Sequence, residues 1–185
     1  DGIQSGTITQ TLNECVYCYD NTANQGGALV IGYEGACNLP QGMKINTYLN
    51  GCVFERNTAN WQGGAICLQY VPDYLGKWTT KLYLDKATFT DNKVTSEVNA
   101  GTSGGGAIHS WNFNVEARPG NGGCTFVNNT SNNFGGSIFA EGSSTLNFDN
   151  MTISGNGSDS ADKGGALFGY GGNVFFDIKT ISINN

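Results

Sequence analysis

Positive charge is scarce in this chain: nine Lys and Arg stand against fifteen Asp and Glu over 185 residues, for a formal net charge of −6. The cations are spread along the sequence, so they form neither a basic stripe for nucleic acid nor a polybasic patch for anionic lipid, and nucleic acid is not an expected partner. Long apolar runs are also missing. None approaches the roughly 18 to 20 residues that cross a bilayer as a helix, so no membrane span is expected. Nor does any segment hold a 3.6-residue apolar period long enough for a helix, which leaves strands and turns. The chain opens at Asp1 with neither Met nor a signal-peptide pattern, the start expected of a processed form or of part of a longer solenoid.

Glycine, by contrast, is abundant at 28 residues, about twice its average share of ~7%. Much of it recurs at fixed places. NTANQGGAL occupies residues 21–29, NTANWQGGAI residues 57–66 and NNTSNNFGGSI residues 128–138, with GGAI and GGAL again at Gly105 and Gly164. Interleaved with the Gly-Gly pairs is a second landmark, an aromatic or β-branched residue three positions before an Asn. Phe54 and Asn57, Phe89 and Asn92, Phe126 and Asn129, Ile153 and Asn156, and Ile181 and Asn184 fit it, with Cys18 and Asn21 as a looser first copy. Successive Asn residues lie 36, 35, 37, 27 and 28 positions apart, in the range that signals a solenoid, a propeller or an array. Residues 1–185 therefore read as one repeat domain.

Within each period short alternating or β-branched runs precede and follow the landmarks, as KINTYL and CVF do before Asn57 and GGAICL after it. Two or three strands of four to six residues per ~27 to 37 residues correspond to one coil of a parallel β-helix. Propeller blades need about 40 to 45 residues and come second. Stacked coils place Asn above Asn, where side-chain amides can form a ladder along the axis. Asn also tolerates the left-handed backbone of a sharp corner, Gly-Gly supplies a corner with positive φ or close backbone approach, and Phe54, Phe89 and Phe126 become an internal aromatic column.

The alternating GGA(I/L) and FxxN tetrapeptides resemble the repeat of the chlamydial polymorphic outer membrane proteins, and similar repeats in large surface proteins of other bacteria and some protists. The likeness spans most of residues 15–185 and rests on five GGA-type copies, at 26–29, 63–66, 105–108, 135–138 and 164–167. It implies a right-handed parallel β-helix of about five to six coils, displayed at a surface with a role in adhesion, and it hands over no catalytic residue. The chain departs from the chlamydial pattern in lacking a membrane-barrel segment and in carrying Cys18, Ile153 and Ile181 where Phe stands elsewhere.

Candidate sites are few. Asp85, Asp149 and Asp177 fall at matching places before the Phe or Ile landmark, with Asn50 equivalent to them; a turn ladder of Asp and Asn explains them, and a calcium site or an active-site stripe is the alternative. The single His109 follows GGAI, so Val30, Cys67, Phe139 and Phe168 are its equivalents, a stack position without a triad placed around it. Cys15 and Cys18 form a CxxC that lacks a second ligand pair, so no metal and no cofactor is expected. Cys15 and Cys52 hold equivalent places in LNECVY and LNGCVF. Adjacent rungs would set them about 4.8 Å apart, within disulfide reach. Cys124 shares their column beyond Ala87 and is expected to be a buried free thiol.

The least repeat-like stretches, 70–81, 93–104 and 109–123, are expected to be loop insertions, which in a solenoid often carry the binding face. Tyr70, Tyr74 and Trp78 lie in the first, and Trp61 and Phe134 precede Gly-Gly at equivalent corners. These aromatics could stack on sugars or enter a partner's pocket, or else cover the flank of the helix. The six cysteines, with sequons at Asn128, Asn129, Asn150 and Asn156, fit an extracellular or cell-surface glycoprotein. The expected function is a non-enzymatic surface module, structural or adhesive, whose partner is a host or cell-surface protein or glycan. The alternatives are a filament subunit that binds copies of itself end to end, and a carbohydrate-active lyase or hydrolase.

Overall fold

The computed structural model describes residues 7–13, 17–32, 44–69, 79–96, 102–117, 123–158, 164–171 and 173–184. Among them the strands fall into three sheets in which neighbours are parallel and come from successive periods of the sequence. The first coil supplies Thr7–Leu12 and Tyr17–Tyr19 to the first sheet, Thr22–Gln25 to the second and Leu29–Ile31 to the third. The second supplies Lys44–Asn50, Val53–Glu55, Thr58–Gln62 and Ile66–Leu68, and the third Thr79–Asp85, Thr88–Thr90, Lys93–Val94 and Ile108–Trp111. Asn114–Ala117, Cys124–Val127, Thr130–Ser131 and Ile138–Glu141 make the fourth coil. In the fifth, Thr145–Ser154 runs through both halves of the first sheet before Gly157–Ser158 and Leu167–Tyr170, and Phe175–Asn184 pairs along it as the sixth rung. The chain is a parallel β-helix.

Alternation along the inner strands of the first sheet buries every second side chain. Leu49, Leu82, Val115, Phe148 and their neighbours fill the core from the first sheet, and Ile66, Ile108 and Ile138 fill it from the third. The landmark phenylalanines stack inside: Phe54 on Phe89 at 5.1 Å and Phe89 on Phe126 at 4.9 Å between ring centroids, both pairs 6° from parallel. Each buried ring removes enough apolar surface from water to contribute about 1.5 to 3 kcal/mol.

The Asn column begins the second sheet. Asn57, Asn92 and Asn129 are fully buried. Along the column each Asn gives its backbone N–H and its Nδ2 to the Oδ1 of the next, Asn57 to Asn92 at 3.0 and 2.9 Å and Asn92 to Asn129 at 3.0 and 2.9 Å. The second Nδ2 hydrogen goes back to the landmark carbonyl one coil away, as from Asn92 to Phe54 at 2.9 Å. The amide thus satisfies polar groups that a corner between sheets would otherwise bury unpaired. Two expectations are corrected here. The left-handed backbone belongs to the residue before each ladder Asn, namely Asp20, Arg56, Asp91 and Asn128 with φ between 52 and 55° and Gly155 at 61°, and not to the Asn itself. Asn184 is not on the ladder: it stands opposite Ser154 and is exposed, because Ile183 and not Ile181 pairs with Ile153.

The Gly-Gly corner needs glycine twice, for different reasons. The first residue takes positive φ, 60° at Gly63 and 72° at Gly105. The second faces the next coil so closely that a Cβ on Gly106 would lie 2.0 Å from the Gly136 carbonyl oxygen. Residues 109–117 are not part of an insertion, since Ile108–Trp111 and Asn114–Ala117 are regular rungs with Val115 pairing to Leu82 and Leu146. Asp177 also leaves its expected column. It stands opposite Asn147, while Lys179 takes the place opposite Asp149.

Candidate functional site

Of the aromatics singled out in the sequence, Tyr70, Tyr74 and Trp78 lie outside the described residues. Trp61 is 40% exposed. It is the additional residue in NTANWQGG against NTANQGG, and the pairing of Thr22–Gln25 with Thr58–Gln62 shifts register at that point, as a β-bulge does when it turns a side chain outward. Phe134 is not its equivalent, because Gln62, Gly104 and Phe134 form one column. The Phe134 ring packs on Phe139 at 5.1 Å and on Phe168 at 4.7 Å, which makes it part of a local aromatic cluster. Sequence reasoning missed Trp111 and Tyr170, 42% and 57% exposed, because the first was placed in a loop and the second follows GGALF without a landmark of its own.

The outward columns of the first sheet carry stacked polar and aromatic side chains. Tyr48 lies on Tyr83 at 4.5 Å, and Lys81 Nζ donates to Glu116 at 2.6 Å. Lys179 pairs with Asp149 at 2.7 Å, and Arg56 at the corner pairs with Asp20 at 2.8 Å. The Arg56 guanidinium holds the Asp20 carboxyl below its ordinary range, and the carboxylates in turn hold Arg56 and Lys81 protonated to higher pH than usual. These acids are matched with cations on neighbouring rungs. A glycosidase instead keeps two carboxylates facing one substrate bond, about 5 to 9.5 Å apart.

Of the four sequons, Asn129 and Asn156 are built into the ladder, where their Nδ2 groups donate to the Phe89 and Phe126 carbonyls. A glycan linked through that nitrogen has no place in the folded stack. Asn128 and Asn150 are exposed. Cys52 is a buried free thiol whose Sγ donates to the Leu12 carbonyl at 3.5 Å. Its expected partner Cys15 lies outside the described residues, and the pairing of the first two coils shifts by one residue between Leu12 on Leu49 and Tyr17 on Val53. Cys124 is free and buried beyond Ala87, and burial pushes its thiol up to about 12.

The densest polar chemistry sits on the third sheet. Cys67, His109 and Phe139 occupy one column on successive rungs, as the repeat places them. Their neighbours Ile66, Leu68, Ile108, Ile138 and Ala140 face the core, so these side chains face the other way, yet all three are fully buried. His109 Nε2 lies 2.9 Å from Glu141 Oε1, and its Nδ1 lies 3.7 Å from Cys67 Sγ. Cys67 Sγ also approaches Gln62 Oε1 at 3.9 Å. His109 is therefore not an isolated stack residue. Glu141, two positions after Phe139 on the adjoining rung, was legible only once the strand phase was known.

Residues 51–69 and 86–110 match the Chlamydia polymorphic membrane protein repeat. The chain therefore carries that repeat, in its second and third coils, where the Asn ladder and the Phe stack are most regular. Searches of curated proteins and of solved structures return no match.

Proposed function

We propose that this chain is a non-enzymatic, surface-displayed β-helix module whose role is structural or adhesive. The observation that carries the reading is the match of its repeat to that of a surface-protein family, in coils whose repeated geometry serves the axis of the stack. The ladder amides, the Phe column and the Gly-Gly corners all face inward or along the stack. Exposed residues that differ from coil to coil include Trp61 at its bulge, Trp111 and Tyr170. A stiff scaffold with variable exposed aromatics suits recognition of a cell-surface protein or glycan, because large rigid rings supply contact area at low entropic cost.

The test is adhesion of chain-coated beads to cultured cells, with reducing-sugar release from a polysaccharide panel measured in parallel. Wild-type beads adhere, Trp61→Ala and Trp111→Ala beads adhere less at unchanged melting temperature, and no sugar is released. Release of reducing sugar would replace the reading with a carbohydrate-active enzyme. Long fibres in negative-stain images of the same sample would replace it with a filament subunit.

A further inference from the structure

We propose that Cys67, His109 and Glu141 form a nucleophilic thiol site, in which the imidazole, oriented by Glu141, takes the thiol proton and leaves a thiolate that reacts with small uncharged hydroperoxides. The site is independent of the surface role above. An ionised carboxylate only accepts, so the 2.9 Å contact with Glu141 Oε1 fixes the imidazole hydrogen on Nε2 and turns the Nδ1 lone pair toward Cys67 Sγ, 3.7 Å away. Moving the thiol proton to the imidazole must overcome the ordinary gap of about two pH units between Cys and His. Burial widens that gap by desolvating both ions, and two attractions act against the sum, imidazolium with carboxylate and imidazolium with thiolate, each strengthened where water is excluded. This is the arrangement that activates nucleophilic cysteines on unrelated folds, recognised by geometry and not by order in the chain.

The surroundings select the reagent. Cys67 and His109 are fully buried, with Gln62 on one side and the Phe139 ring 5.2 Å from the imidazole on the other. A charged or bulky electrophile would lose its hydration without recompense, whereas a small neutral one can enter through local opening of the structure around the thiol. In the reaction the Cys67 sulfur attacks one peroxide oxygen, an S–O bond forms and the O–O bond breaks. The departing hydroxide or alkoxide takes the proton from imidazolium Nδ1. Sulfur is oxidised by two electrons to a sulfenic acid and the peroxide is reduced to water or alcohol. Cys124 is the internal control, since it is equally buried but faces the core, while the chain's one histidine lies beside Cys67.

Two measurements on the intact chain test the proposal. Thiolate ultraviolet absorbance at neutral pH is expected in the wild type, absent in Cys67→Ser and reduced at least tenfold in Glu141→Gln, which keeps the shape and an acceptor for Nε2–H but removes the charge. Mass mapping after stoichiometric hydrogen peroxide, with a 1,3-dione to trap sulfenic acid, is expected to label Cys67 at least ten times faster than Cys124. Absence of thiolate absorbance in the wild type, a Glu141→Gln signal equal to wild type, or labelling of Cys67 no faster than Cys124 would each overturn it. The peroxide mapping needs no variant, so it decides even where Cys67→Ser fails to fold.

Discussion

Replacing Asn92 by Ala tests whether the amide ladder holds the coils together. The side chain accepts from Asn57 N and Nδ2 and donates to the Phe54 carbonyl and to Asn129 Oδ1. Truncation leaves the buried Asn57 N–H without that acceptor, at a cost of about 1 to 3 kcal/mol, and removes further bonds worth about 1 kcal/mol each. The sum is about 4 to 6 kcal/mol. Asn21, at the exposed end of the ladder, only donates to Asn57 Oδ1, and its backbone N–H keeps that acceptor when the side chain is removed. Asn21→Ala should therefore cost under about 1 kcal/mol. Urea unfolding followed by tryptophan fluorescence reads the difference. With a slope of about 2 kcal/mol per M, the midpoint should fall by roughly 2 to 3 M for Asn92→Ala and by less than about 0.5 M for Asn21→Ala. Equal losses at the two positions would refute the ladder as a chain of buried, mutually dependent amides.

Two further outcomes follow from the same geometry. Gly106→Ala sets a Cβ 2.0 Å from a backbone oxygen and should cost more than about 4 kcal/mol, whereas Gly165→Ala, on the last described rung of that column with nothing within 4 Å, should melt within a few degrees of wild type. Cys124 keeps its proton in the folded chain up to about pH 12, above the usual value of 9.0. The unfolded chain releases that proton first, so the stability contributed by the neutral buried thiol is complete below about pH 9 and lost as pH rises toward 12. Cys124→Ala should flatten this alkaline loss in unfolding titrations, and an unchanged alkaline slope would show that Cys124 is not its source.

Much of the fold was legible because each coil must repeat the solution of the coil beneath it. A parallel stack puts equivalent residues one strand spacing apart, so whatever corner, ladder or ring works once recurs in the sequence with the same spacing. FxxN and GGA(I/L) are that record. They gave the parallel β-helix, the Phe54, Phe89 and Phe126 column and the ladder from Asn21 to Asn156. The same landmarks misled where their spacing changed without their letters changing. Ile181 and Asn184 satisfy the spacing but lie two residues out of phase with Ile153 and Asn156, a shift that leaves the facing of every side chain unchanged and so leaves no mark in the alternation of the sequence.

What the sequence determined alone is thus periodicity, which is local chemistry repeated. What only the tertiary structure decided is phase and facing. Whether Trp61 or Gln62 continues the column of Phe134 depends on a one-residue bulge. Whether His109 meets Cys67 and Glu141 depends on two side chains from other rungs, 42 and 32 residues away in sequence, pointing to the same side of the third sheet. Neither follows from composition or spacing, because side chains on a strand alternate between faces and a single residue of slip exchanges core for surface.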